Sequence, residues 1–437
     1  MNAEIDSPTG LAKADDIPAE PLAASTKPLK VLIVHASVGS GHRSAAYAIA
    51  DAFKIIDAEG GDDGRPIHTE VLDILEFGRI VFNGDNTASM FTGVTRPYYD
   101  LTWRYTLTGR LLWAGGTIWA RIMYPKFVEY VNQEKPDAII CTHITAANVA
   151  VSARMILREA FPIICVPTDY EVEGLWPHLH TDIFCVANEH MAETLRPRKV
   201  PEKRICVTGI PAAPDFAREY DREATRTELG LPQDKQVVLF LAGATLPRPY
   251  IHFRRATDEL LPFMHRFKEM HFVIVAGKDA DYEAKLKRLV KDHGLSNVTV
   301  LGYVNGMAAL MSASDLIVCK SGGLTTTECL CVDVPMILLG RAYGQEKANV
   351  SMLTSTGAAF HVTTTRELYD LLLQIEAHPQ MTEAIKYNAE LIRRPDAAME
   401  IAKAALATIH GIPQADESLY RKHFLHFYWG RKPAHTR

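Results

Sequence analysis

No run of apolar residues in this chain is long enough to cross a bilayer. The most apolar span, "LLWAGGTIWARIMY" from Leu111, is short and is interrupted by Arg121, so no membrane-spanning helix is expected. Cysteine is scarce, with seven residues scattered singly apart from Cys329 and Cys331. An odd count without zinc-type spacing predicts reduced thiols and argues against a secreted disulfide framework. The first 27 residues carry five acidic side chains and two lysines, with no basic start and no apolar core. They read as a disordered tail rather than a secretory leader. Positive charge is not in excess either. A formal net charge of -5 gives no global reason to expect nucleic acid as a partner. These absences together predict a cytoplasmic chain.

What is present is an ordinary globular composition, 47% hydrophobic and 23% charged. At 437 residues the chain exceeds what one core usually supports, so two domains are expected. Short β-branched runs alternate with helical patterns: "KVLIVHA", a helix over 44–56, "IHTEVLDI", then "DAIICTH", "IICVPTD", "IFCVAN" and "ICVTG". That alternation predicts a parallel sheet with crossover helices, whose ligands bind beyond the carboxyl ends of the strands. The proline-bearing stretch "GIPAAPDFAREY" interrupts it, and the pattern restarts with "QVVLFLAGA", "HFVIVAG", "VTVLGYV", "DLIVCKSGG" and "VPMILLG". The expected architecture is α/β, with two Rossmann-like domains whose parallel sheets face across a cleft. A tail is expected over 1–27, a first domain over 28–210 and a hinge over 211–216. A second domain over 217–395 is followed by a C-terminal helix and tail over 396–437.

Residues 91–130 stand outside the alternation. They hold Trp103, Trp113 and Trp119 together with Arg96, Arg104, Arg110, Arg121 and Lys126. This composition fits either a pair of packed helices or a surface for the membrane interface, where amphipathic aromatics and cations are favoured. The last 20 residues hold five Lys/Arg and no acid, interleaved with Tyr420, Phe424, Phe427, Tyr428 and Trp429. On an anionic surface such a tail would be a second anchor, at ~1 kcal/mol per cation; otherwise it is a solvated end.

The turn "GSGHRS" at Gly39–Ser44 matches no familiar nucleotide loop. A dinucleotide fingerprint needs a small residue where Ser44 stands, and a P-loop needs Gly-Lys-Ser/Thr. Gly39 and Gly41 nevertheless allow a ligand close to the backbone, at a helix start whose N–H groups point toward it. The positive helix end disfavours a charged imidazole, so His42 is expected neutral near pH 7 and suited to act as a general base. Asp169, in "CVPTDY", ends a strand on the same edge. It could orient His42, bind a substrate hydroxyl, or act as the base itself.

The richest stretch runs from Asp315 to Leu353. A strand delivers Lys320, then Ser321-Gly322-Gly323, then a helix opening with Leu324 and Thr325. Hydroxyls and backbone N–H groups at a helix start outline a diphosphate site that requires no metal. Glu328, about one turn on, suits two vicinal hydroxyls such as a ribose offers. Gln345 and Glu346 follow Gly344, placing an amide and a carboxylate together, which suits a polyhydroxylated ring.

"KSGGLTTTE" and "GQEKANVSML", with "GSGHRSAAYAI" in the first half, resemble the glycosyltransferase family of monogalactosyldiacylglycerol synthases and bacterial processive diacylglycerol glucosyltransferases. The likeness spans roughly residues 30 to 405, with the murein-precursor N-acetylglucosamine transferase as a more distant relative. It implies a GT-B fold and an inverting transfer of glucose or galactose from UDP-glucose or UDP-galactose to a diacylglycerol-like lipid. It implies no metal or other cofactor, and peripheral association with the inner face of an anionic membrane. By the same resemblance, Glu328 holds the uridine ribose, Ser321 to Thr325 the diphosphate, Gln345 and Glu346 the sugar, and Val304 lies beside uracil. His42 falls on the histidine that activates the acceptor, with Gly39, Gly41 and Trp103 on the acceptor side.

Two departures stand out. The loop "LAGATLPRPYIHF" replaces a glycine-rich turn, with Arg248 between Pro247 and Pro249 as a candidate diphosphate contact, and Val38-Gly39-Ser40 replaces three glycines. Other readings of the same motifs are a soluble UDP-sugar epimerase, a non-catalytic UDP-sugar and membrane sensor, and a nicotinamide oxidoreductase. The last is disfavoured by Ser44.

Overall fold

The computed structural model describes residues 27–37, 40–79, 122–172, 174–242, 251–342 and 344–411. The expectations for the N-terminal tail, for most of the aromatic and basic segment with Trp103, for Gly39, for Arg248 and its loop, and for the basic C-terminal tail lie outside the described residues.

Two six-stranded sheets, parallel throughout, are built from the apolar runs. The first holds β1 (Leu29–His35), β2 (Ile67–Asp73), β3 (Ala138–Cys141), β4 (Ile163–Cys165), β5 (Ile183–Val186) and β6 (Ile205–Val207), in the order β2-β1-β3-β4-β5-β6. The second holds β7 (Gln236–Leu241), β8 (Met270–Val275), β9 (Val298–Leu301), β10 (Leu316–Cys319), β11 (Met336–Leu339) and β12 (Phe360–Val362), in the order β12-β11-β10-β7-β8-β9. Central strands such as β3 and β10 are buried along their whole length, because helices cover both faces of a parallel sheet. All seven cysteines are free, and six of them are buried.

The strand orders decide where the site lies. In the first sheet the order reverses between β1 and β3; in the second, between β7 and β10. Crossover connections leave those neighbours in opposite directions, so a crevice opens beyond their carboxyl ends. From β1 and β3 the crevice receives the turn leading to the Gly41–Ala58 helix and the pair Thr142-His143. From β10 it receives Lys320 and the glycines that start the Gly323–Cys331 helix. The two domains face each other with these ends together, in a GT-B-like arrangement, and one cluster of buried apolar residues runs from Leu32 and Val34 through Leu324 to Leu239 and Ile317.

The last described helix, Ala397–Gly411, returns to the first domain. Its Ile401, Ala402 and Ala405 are buried with Val31 and Ile33 of β1 and with Ile49 and Phe53 of the Gly41–Ala58 helix. The crossing passes over Gly209. A side chain there would come within 2.6 Å of the Arg394 Cβ, and the backbone has φ of 100°, so both space and conformation call for glycine. No helix among the described residues is long and apolar enough to cross a membrane.

Candidate active site

His42 is the second residue of the Gly41–Ala58 helix, whose N-cap position, Ser40, makes no side-chain cap. The imidazole is half-buried and its Nδ1 lies 2.9 Å from the Thr142 carbonyl oxygen and 2.8 Å from Thr168 Oγ1. A carbonyl can only accept, so Nδ1 carries the proton and Nε2 keeps its lone pair. Thr142 holds the same residue from the other side, its Oγ1 donating to the His42 carbonyl at 2.9 Å. Burial holds the imidazole below the usual histidine range, with the Asp169 charge and the Thr142 hydrogen bond partly opposing it. Neutrality therefore rests on desolvation, where the sequence pointed to the helix end. A neutral imidazole with one ring nitrogen anchored and the other unprotonated is the form a general base requires.

Two more histidines stand beside it. His143 meets His42 edge to face at 4.7 Å, and its Nδ1 accepts the Thr145 N–H at 3.1 Å, capping the Ile144–Leu157 helix. Burial lowers the His143 pKa well below the ordinary 6.5, reinforced by His42 and His35, and burial lowers His35 as well, against the pull of Asp73. A depressed folded-state pKa on a histidine means that the unfolded chain binds more protons below pH 6.5. Stability contributed by these groups is thus full above 6.5 and falls as the pH drops below it. A His143→Asn variant keeps a capping side chain but removes one titrating group. Its melting temperature is expected to fall less than the wild type's between pH 7.5 and pH 5.5, as calorimetry in matched buffers would measure.

The second domain faces this group. Gly322 lies between Lys320 and Glu346: a Cβ there would stand 3.7 Å from Lys320 Nζ and 4.0 Å from Glu346 Oε1. Ser321 is buried, Lys320 and Thr325 are half-exposed, and the Gly323–Cys331 helix begins against the first domain with no side-chain cap, the end at which a helix offers N–H groups to a ligand. Gln345 occupies the N-cap position of the Glu346–Ser355 helix, with Glu346 buried as its first residue. Val304 is half-buried after the exposed Tyr303, over whose ring Lys278 sits at 4.9 Å. Glu328 is half-buried, and burial pushes its carboxyl up to about 8.

Where the halves meet, the approach is close. A Cβ on Gly323 would fall 2.1 Å from the Thr168 carbonyl oxygen and 3.0 Å from Asp169 Oδ1, so only glycine permits this contact. Gly41 faces Leu324, with 3.8 Å to its Cβ, which places the Leu324 side chain against the first-domain turn. Asp169 Oδ1 accepts from Asn349 Nδ2 at 2.8 Å, and the Tyr170 N–H donates to Asn349 Oδ1 at 2.9 Å. The Tyr170 ring is buried, with its hydroxyl 3.4 Å from Thr327 Oγ1. Among the described candidates, His42, Gly41 and Asp169 thus border one side of this seam, and Lys320 to Thr325 with Glu346 the other.

Sequence reasoning missed Thr142, Tyr170 and Asn349, and it marked His143 and Thr168 only as polar strand ends, the side of such a sheet where ligands bind. A signal existed for Asn349, which follows Gln345 by four residues and so shares its helix face. Thr168 and Tyr170 flank Asp169 in the strand-end motif.

Comparison with known proteins finds two matching families. Residues 42–212 match the family described as monogalactosyldiacylglycerol (MGDG) synthase. Residues 238–403 match the glycosyltransferase family 28 C-terminal domain. The chain is 25% identical over 365 residues to the processive diacylglycerol beta-glucosyltransferase of Bacillus pumilus, covering 82% of this chain and 90% of that one. It is 26% identical over 396 residues to the enzyme of the same name from Bacillus mycoides, covering 88% and 95%. Among solved structures, Acinetobacter baumannii MurG is similar with a TM-score of 0.55 and 18% identity, over 87% of this chain and all (100%) of that one. The UDP-GlcNAc 2-epimerase of Neisseria meningitidis is similar with a TM-score of 0.56 and 15% identity, over 87% and 100%. At these identities the two solved structures bear on the fold alone.

Proposed function

Because this chain belongs to the family of monogalactosyldiacylglycerol synthases and processive diacylglycerol glucosyltransferases, GT-B-like glycosyltransferases, we propose that it moves glucose or galactose from the UDP-sugar to the hydroxyl of a diacylglycerol-like lipid. The observation that supports this most directly is His42 itself. Its Nδ1–H is held by Thr142, and Nε2 is left as the base, at the edge that faces Lys320 to Thr325.

In this reading residues 28–210 present the acceptor and 217–395 hold the UDP-sugar. The acceptor oxygen attacks the anomeric carbon as His42 Nε2 takes its proton. The bond from that carbon to the β-phosphate oxygen breaks, and UDP leaves with the electron pair, inverting the centre. Lys320 and the N–H groups of the Gly323–Cys331 helix stabilise the charge that develops on the leaving phosphate. Glu328 takes the ribose hydroxyls, Gln345 and Glu346 the sugar, and Arg248 adds to the diphosphate contacts. Asp169, whose charge favours a protonated His42, steadies the imidazolium after proton transfer. The UDP-sugar is a substrate, and the mechanism calls on no metal or other cofactor.

The lipid acceptor places the reaction at the inner face of an anionic membrane, with the aromatic and basic residues of 91–130, Trp103 among them, and of the C-terminal tail as contacts. The test is to incubate the protein with membrane lipid extract and each labelled UDP-sugar, and to identify the labelled product. A labelled glycolipid is expected. Label recovered only as an epimerised nucleotide or as free sugar, across all acceptors, would overturn the reading.

A further inference from the structure

We propose that Asn349 is a positioning residue that couples closing of the two domains to the alignment of His42. The proposal rests on the reading of this cleft as the transfer site, and it assigns a role to a side chain that bonds the backbone of the diphosphate loop and reaches His42 only through the strand-end segment.

Asn349 belongs to the Glu346–Ser355 helix of the second domain and is fully buried, at 0% exposure. Its amide has three partners, which use both of its N–H donors. Nδ2 donates to Asp169 Oδ1 at 2.8 Å and to the Ser321 carbonyl at 2.9 Å, and Oδ1 accepts the Tyr170 N–H at 2.9 Å. Two of the partners lie on the strand-end segment of the first domain, and the third on the diphosphate loop of the second. No other side-chain type of this size supplies two donors and one acceptor. Aspartate would set a carboxylate against Asp169 and the Ser321 carbonyl, and glutamine would bring an extra methylene into a packed site.

The segment held in this way leads directly to the base. Thr168 precedes Asp169 and Tyr170, and its hydroxyl lies 2.8 Å from His42 Nδ1. Its carbonyl is the group against which Gly323 closes. Movement of the Ser321–Gly323 loop onto a diphosphate is thus transmitted through one amide to Asp169 and Tyr170, and through Thr168 to the ring whose other nitrogen takes the proton. When the domains part, Asn349 leaves with the second domain and the segment loses two of its hydrogen bonds. Catalytic geometry then forms only when the donor side is in place, which protects a bound UDP-sugar from premature reaction with water.

The test compares the full chain with its Asn349→Ala variant. UDP affinity, measured by calorimetry, is expected to stay within about threefold, less than ~1 kcal/mol. Turnover is expected to fall by ~10²-fold, the cost of a misplaced catalytic group. Hydrogen exchange in a peptide spanning 166–172 is expected to lose the protection that UDP confers on the wild type, while exchange in β1 stays unchanged. Unchanged protection of 166–172, or turnover within threefold of wild type, would overturn the proposal, as would a loss of turnover matched by lost UDP affinity.

Should the Asn349→Ala protein fail to fold, Gly323→Ala keeps the question open to test, since its methyl would meet the Thr168 carbonyl and hold the seam apart from the opposite side. With UDP held at a concentration that calorimetry shows to be saturating, it should show the same loss of UDP-dependent protection, and retained protection would refute the clasp. If the wild type transfers sugar to no lipid, the functional reading fails. The clasp still stands or falls on UDP-dependent exchange alone.

Discussion

His42→Ala is expected to lower kcat by ~10²–10⁴-fold, the range of a lost general base, with UDP affinity nearly unchanged. The two halves of that statement come from different sides of the seam. The imidazole sits on the first domain, anchored through Nδ1 to Thr142 and Thr168, whereas the candidate nucleotide contacts sit on the second. Removing the ring therefore removes proton transfer without removing a UDP contact. The pH profile carries a second signature. Activity requires the neutral ring, and burial holds its pKa below the ordinary histidine value of 6.5. The acid limb of kcat/KM should lie below pH 6.5 and disappear in the variant. Single-turnover measurements with UDP-sugar and lipid would check both, and wild-type rates from the His42→Ala protein would remove His42 from the chemistry.

The strands of both sheets were legible because parallel sheets bury both faces, leaving continuous apolar runs such as "LIVC" and "VVLFL". Only β12, three residues at an edge, passed unread. Strand order was not legible. Nothing local distinguishes β1 from β3 as neighbours at a switch point, yet that pairing brings Thr142 to His42. The Ala397–Gly411 helix shows the same limit. Its apolar face was readable, but its destination on the first sheet depends on a return path over Gly209.

At the site, motifs marked residues whose chemistry is visible in their type: a histidine after glycines, a carboxylate one turn into a helix. The residues that join the halves carry no such mark. Asn349 and Tyr170 become informative only when the domains are face to face, since their partners lie 180 and 179 residues away in the chain. The neutrality of His42 was expected from the helix end and arises chiefly from burial, a property of the closed cleft that no local stretch contains.

Replacing Glu328 should affect UDP binding most. Burial pushes this carboxyl up to about 8, with desolvation as the cause. Near neutral pH the group is therefore largely protonated before any ligand arrives. A pair of vicinal ribose hydroxyls donates best to an ionised carboxylate, so binding favours the charged form and lowers the pKa. Two consequences follow from that sign. UDP binding below pH 8 should release a proton to the buffer, visible as a dependence of the calorimetric enthalpy on buffer ionisation. Affinity should also rise with pH up to about 8, by at most tenfold per unit, and then level off.

Glu328→Gln removes the titration while keeping the shape. Hydrogen bonds to a charged group contribute roughly 1.5–3 kcal/mol, so the variant should bind UDP about 10- to 100-fold more weakly at pH 8. The difference should shrink toward pH 6, where the wild-type carboxyl is itself neutral. Titration of the UDP phosphates is common to both proteins and cancels in the comparison. An affinity ratio that stays constant from pH 6 to pH 9 would show that Glu328 does not meet the ribose as a carboxylate.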